Sequence, residues 1–215
     1  MSLPQQDEFM SMQKSGYLIA SITLALAMIL SLPALAETNS KSMRKNFVVS
    51  ERNYALPAIE LHDQNGAVVD VASLRDSGQR TIISFIFTSC AGICPMITAN
   101  VNRSVPELER IEHDFRIVLI TVDPEHDTPE RLAAYAERFE TDPKIRFLTG
   151  SRDQVFGLLR DLEALYEGSN KMNHQPVTLI SSGSAQAWRR IDGLIGSDTL
   201  VEQYREVVEH EREAG

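Results

Sequence analysis

The chain has 215 residues, 30 acidic side chains against 21 basic, a net charge of −9 and only two cysteines, Cys90 and Cys94. No basic stripe runs through it, which argues against a nucleic-acid-binding surface, and the acidic balance speaks for solubility without naming a partner. Two thiols four residues apart close too small a loop to stabilise a fold much by chain entropy, so a purely structural disulfide is a weak reason for the pair.

The first 36 residues read as a secretory signal peptide. Lys14 precedes an apolar stretch, Tyr17 to Leu30, broken only by Ser21 and Thr23, and Ala34 and Ala36 supply the small-residue pattern of a cleavage site. Cleavage is expected between Ala36 and Glu37. Met10 or Met12 as the start would leave Lys14 the only charge before the apolar core. The alternative is an uncleaved membrane anchor, for which the run is short against the roughly 20 residues of a span. Residues 37–46 read as a polar linker, and residues 47–212 as the folded domain.

Within that domain, Phe47 to Ser50 reads as a short strand. Leu56 to Leu61 is extended, Asp63-Gln64-Asn65-Gly66 is a strong turn, and Ala67 to Val71 returns as its partner. A second turn, at 76–79, leads into Thr81 to Phe87, a β-branched and aromatic run that predicts a buried strand. It ends in the loop that carries Cys90. A helix follows from about Cys94 to Ile111, with Ile97, Val101, Val105, Leu108 and Ile111 at helical spacing. Pro106 is expected to bend it or to begin a second segment.

Phe115 to Val122 predicts a strand buried on both faces. Asp123 to Asp127 is a loop. Thr128 then caps a helix with Pro129 at its first position, and Leu132, Tyr135, Ala136 and Phe139 form its apolar face. Ile145 to Leu148 is a strand, and Ser151 caps a helix that buries Val155, Leu158, Leu159 and Leu162. Gly168 to Asn173 is a loop, Val177 to Ile180 a strand, Ser182 to Ser184 a turn and Ala187 to Ile191 the hairpin partner. The last helix spans about Ser197 to His210. This alternation predicts an α/β sheet with helices on both faces. A two-cysteine loop after the first main strand and a closing hairpin and helix make it thioredoxin-like, with an N-terminal β-hairpin extension.

Cys90 and Cys94 have C-x-x-x-C spacing at a strand–helix junction. A helix beginning near Ala91 or Gly92 lets both sulfurs face one spot, and its unpaired amides favour the thiolate, which is both nucleophile and metal ligand. Two soft sulfurs select Cu(I) or zinc, and copper also accepts imidazole. Of the five histidines, His174 is favoured as a third ligand, because the loop before Val177 lies beside the cysteine loop in a thioredoxin-like fold. His126, in a loop at the carboxyl end of a strand, is the second candidate. His62, His113 and His210 read as solvated side chains. Asp123, Glu125 and Asp127 either shape the field near the thiols or serve turn and capping chemistry.

The stretches FIFTSCAGICP, ITVDPEHDTPERLAAYAERF, FLTGS, NHQPVTLISSG and WRRIDG resemble the SCO/SenC family of copper-binding, thioredoxin-like proteins. The likeness runs from about Tyr54 to the C-terminus. It carries the family's copper ligands onto Cys90, Cys94 and His174, with copper as Cu(I) or Cu(II). One departure is Ala91, where many members have proline.

The resemblance implies a metallochaperone that binds one copper and delivers it to, or helps assemble, the binuclear copper centre of cytochrome c oxidase. Its partners would be that subunit or another copper enzyme, and an upstream copper donor. The alternative is a thiol–disulfide reductase that keeps the client's copper-ligand cysteines reduced through a redox-active Cys90/Cys94 pair and its disulfide. A thiol peroxidase is disfavoured, since no Thr and Arg are arranged around Cys90 as that chemistry needs. The expected location is periplasmic, or tethered to the outer face of the inner membrane.

Overall fold

The computed structural model describes residues 47–76, 78–165, 175–182 and 187–214. The expected signal peptide, the linker at 37–46, the Gly168–Asn173 loop, His174, and Gly183 and Ser184 of the hairpin turn lie outside the described residues. Every element below belongs to one compact unit, residues 44–215.

Among the described residues one sheet is built from eight strands: β1 (Val48–Asn53), β2 (Glu60–Asp63), β3 (Val68–Asp70), β4 (Arg80–Ile86), β5 (Phe115–Thr121), β6 (Ile145–Thr149), β7 (Val177–Ser181) and β8 (Ala187–Asp192). The helices are α1 (Ser73–Asp76), α2 (Ile93–Ile111), α3 (Pro129–Arg138), α4 (Arg152–Asp161) and α5 (Ser197–Ala214). The strand order is β1-β8-β7-β4-β5-β6-β2-β3. The central strands β4, β5 and β6 are parallel, with Ile82 opposite Ile117 and Ile117 opposite Ile145. All other pairings are antiparallel.

The centre of the sheet follows from the sequence. Thr81 to Ile86 are all buried, as is β5 apart from Arg116, which is what continuous apolar runs give when both faces are covered. The β2–β3 hairpin closes as its turn predicts: the Gly66 amide donates to the Asp63 carbonyl at 2.9 Å, and the Asp63 carboxylate accepts from the amides of Asn65 and Ala67 at 2.9 and 3.0 Å. The hairpin then joins the edge beside β6, with His62 opposite Thr149. β1 goes to the far edge, antiparallel to β8, and runs to Asn53 rather than Ser50. Its side chains stay largely exposed, so no apolar alternation signals its length.

No second helical segment begins at Pro106, contrary to that part of the expectation. α2 runs from Ile93 to Ile111 with Pro106 inside it. An interior proline costs about 3 kcal/mol. Ile97, Val101, Val105 and Leu108 bury one continuous face, at about 1.5–3 kcal/mol for each side chain, and that burial wins. α2 packs against α5, which continues to Ala214, beyond the predicted end at His210.

The caps of the next two helices agree with the sequence reading. Thr128 accepts the Arg131 amide at 3.4 Å with Pro129 at the start of α3. Ser151 and Gln154 form a reciprocal capping box on α4. The three parallel strands therefore deliver their following loops, 87–92, 122–128 and 150–151, to one end of the sheet. β7 begins at that same end, where the Ser84 hydroxyl donates to the Val177 carbonyl at 2.8 Å.

Candidate dithiol and metal site

Cys90 and Cys94 sit at this end as free thiols, and both are buried. A tight turn leads to them: the Cys90 amide donates to the Phe87 carbonyl at 3.2 Å. α2 then starts at Ile93, one residue before the expected Cys94 and one or two after the Ala91 or Gly92 start considered for the thiols, and no side chain caps it at Gly92. The Cys90 sulfur takes the place of a cap and accepts from the amides of Cys94, Gly92 and Ile93.

The two thiols differ in their environments. Burial pushes the Cys90 thiol up, but the three amides and a hydrogen bond from the Cys94 thiol more than offset it, and the net shift is downward. Burial also pushes Cys94 up. A hydrogen bond from the Phe87 backbone opposes this, while Cys90 and the charge of Asp127 add to it, and the thiol rises to about 12. One pair thus holds an activated sulfur against the amides of the helix start and a more deeply buried, protonated one in its first turn.

The loop acids do not act together. Glu125 stays at the surface, 3.7 Å from Arg152. Asp127 turns fully inward. Its carboxylate accepts from the Thr88 amide at 3.1 Å, from the Thr88 hydroxyl at 2.5 Å and from the Thr121 hydroxyl at 2.6 Å. These partners come from the cysteine loop and from the end of β5, so nothing in the sequence around Asp127 marks the pairing with Thr88.

One helical turn after Cys94, the Thr98 hydroxyl lies 3.2 Å from the Tyr135 hydroxyl. Burial pushes that phenol to about 12, with Thr98 lowering it and Cys94 raising it. Phe139 and Phe147 pack against the Tyr135 ring at 4.7 and 5.8 Å between centroids.

Among the histidines, His126 faces Arg131, whose guanidinium lies 2.8 Å from its Nδ1 and donates to its carbonyl oxygen at 2.7 Å. His62, His113 and His210 are exposed. Among the described residues no group of three His, Cys, Asp or Glu side chains is placed to hold a metal ion. The structure therefore brings together Cys90 and Cys94 of the expected ligands, while His174 lies outside the described residues.

A thiol pair on a helix start, at the carboxyl ends of parallel strands and beside an antiparallel closing hairpin, defines a thioredoxin-like protein. The chain belongs to the SCO1/SenC family, whose sequence model matches residues 50–209. It is 31% identical over 172 residues to a SCO2-like protein of Rickettsia prowazekii, an overlap of 77% of this chain and 82% of the relative.

The fold is shared with solved structures. Arabidopsis thaliana ScoI, determined with copper bound, superposes with a TM-score of 0.63 at 24% identity, over 73% of this chain and 99% of that one. BsSco, described as a member of the Sco family of cytochrome c oxidase assembly proteins with a disulfide switch, gives 0.61 at 24% identity, over 74% and 96%.

Proposed function

We propose that this protein carries one copper ion on Cys90, Cys94 and His174 and serves the assembly of a copper centre, that of cytochrome c oxidase being the favoured client. The observation that carries the reading is the pair of free thiols at the start of α2, Cys94 on its first turn and Cys90 in the loop just before it. Two soft sulfurs within hydrogen-bond contact of each other suit Cu(I), and the donor set fits it without a further acid. Family membership and the copper bound to the Arabidopsis relative support the choice of metal over zinc.

His174 directly precedes Gln175, and residues 175 and 176 lead into β7 at the end of the sheet that holds the thiols. An imidazole there would complete a three-coordinate set able to hold Cu(II) as well as Cu(I). Three ligands leave a position for an incoming donor, which is how a carrier releases its cargo by exchange rather than by dissociation. Binding displaces the thiol protons, so affinity rises with pH. Residues 1–36 would export the chain, as a cleaved signal peptide or as an anchor, to the compartment where such a centre is assembled.

The second reading, a thiol–disulfide reductase for the client's cysteines, draws on the contrast between the thiols. A lowered Cys90 attacks, and a buried Cys94 resolves the mixed disulfide. His174→Ala separates the two. Copper carriage expects Cu(I) and Cu(II) binding to weaken while reduction of a disulfide substrate continues at the wild-type rate. Equal loss of both activities in a folded variant would refute this division of roles.

A further inference from the structure

We infer that Asp127 is the positioning residue of the cysteine loop: its buried carboxylate, through Thr88, fixes where Cys90 stands relative to Cys94. The inference rests on reading Cys90 and Cys94 as the working pair.

Asp127 is completely buried, and all its donors are neutral: the Thr88 amide, the Thr88 hydroxyl and the Thr121 hydroxyl. Burying a carboxylate costs several kcal/mol before its hydrogen bonds are counted. The local turn does not require it. The amides of His126 and Asp127 close that turn on the Asp123 carbonyl at 3.0 and 2.9 Å, and Thr128 caps the helix that follows.

What the carboxylate does hold is Thr88, by backbone and side chain at once, against Thr121 at the end of β5. Only Ser89 separates Thr88 from Cys90, and the Cys90 amide is already closed on Phe87. The loop is thus clamped at its root, with the Cys90 sulfur on the α2 amides. A disulfide needs the sulfurs to close to about 2.05 Å in a defined dihedral. The clamp favours the open dithiol over that closed form, and so favours a pair ready for an incoming ion.

The test is the reduction potential of the metal-free protein, equilibrated in a thiol–disulfide buffer, for wild type, Asp127→Asn, Thr88→Val, the double variant and Thr121→Val. Asp127→Asn is expected to move the equilibrium about tenfold toward the disulfide, which is about 30 mV more negative. Thr88→Val is expected to shift it in the same direction, and the double variant no further than Asp127→Asn alone. Thr121→Val touches the same carboxylate but not the cysteine loop, and should lower the melting temperature while leaving the potential at the wild-type value.

A folded Asp127→Asn with wild-type potential, additive shifts in the double variant, or a Thr121→Val shift as large as that of Thr88→Val would each overturn the inference. If Asp127→Asn does not fold, Thr88→Val decides alone, and an unchanged potential overturns it. Because no metal enters this measurement, its outcome is independent of whether the protein binds copper. A parallel Cu(I) titration should show weaker binding in folded Asp127→Asn and Thr88→Val than in wild type, and wild-type binding in Thr121→Val.

Discussion

Reduced protein treated with iodoacetamide at pH 8 should be alkylated first at Cys90. Cys90 lies below the ordinary thiol value of 9.0, and Cys94 rises to about 12. At pH 8 an ordinary thiol at 9.0 is about a tenth thiolate, and a thiol at about 12 only about one part in ten thousand, a ratio of about a thousand. The thiolate of the weaker acid is the better nucleophile, and a Brønsted slope of about 0.4–0.5 returns roughly 20–30-fold of this to Cys94. An ordinary thiol would therefore already lead Cys94 by about 30-fold, and Cys90, shifted downward, is the more readily ionised of the pair. Exposure pushes the same way, since Cys94 is fully buried and Cys90 is 5% exposed. Mass spectrometry of singly modified peptides over time gives the ratio directly, and Cys94→Ser should leave the fast phase intact. Equal rates at the two positions, or a faster Cys94, would refute the account of how the helix start and the buried interior divide the pair.

Gly150→Ala should destabilise the fold by about 1–3 kcal/mol, because the added Cβ would lie 2.5 Å from the Cδ2 of Leu61, a side chain with no exposure; an unchanged urea midpoint would count against the packing of the β2–β3 hairpin on β6. Ser151→Ala should cost about 0.5–2 kcal/mol, since it removes the capping box on α4, and the same midpoint reads it. Stability should fall as the medium is made alkaline. The folded chain keeps the Cys94 and Tyr135 protons to about 12, whereas the unfolded chain releases them near 9.0 and 10.0. Above about pH 9 the unfolded state therefore binds fewer protons, and the free energy of unfolding drops with rising pH. A urea midpoint at pH 10.5 equal to that at pH 7.5 would contradict this.

The parts of the molecule legible in the sequence are those fixed by short-range chemistry. Thr128-Pro129 and Ser151 announce helix starts, Asp63 to Gly66 announces a hairpin, and the unbroken apolar runs of β4 and β5 announce a two-sided sheet. The thiol pair is equally legible, because Cys90 and Cys94 lie in one strand–loop–helix unit. What escapes is decided by partners distant in the chain. β1 is set by pairing with β8, with few buried side chains of its own to mark it. α2 tolerates Pro106 because its buried face packs against α5. Asp127 looks like its neighbours Asp123 and Glu125 until Thr88, 39 residues earlier, is brought beside it. Arg190 is likewise unreadable as a buried side chain: it donates to the Tyr54 hydroxyl and to the Leu162 carbonyl at 3.0 and 2.9 Å, contacts that only the finished sheet creates.

The central claim is that the thiol pair exists to carry copper. A Cu(I) titration of the fully reduced protein against a competing chelator, at fixed pH and without oxygen, tests it most directly. The account expects one copper per chain, held against the chelator and lost when Cys90 or Cys94 is replaced by serine. Failure of the reduced wild type to take copper from the chelator, alongside ready reduction of a disulfide substrate, would contradict it and leave the thiol reductase as the function.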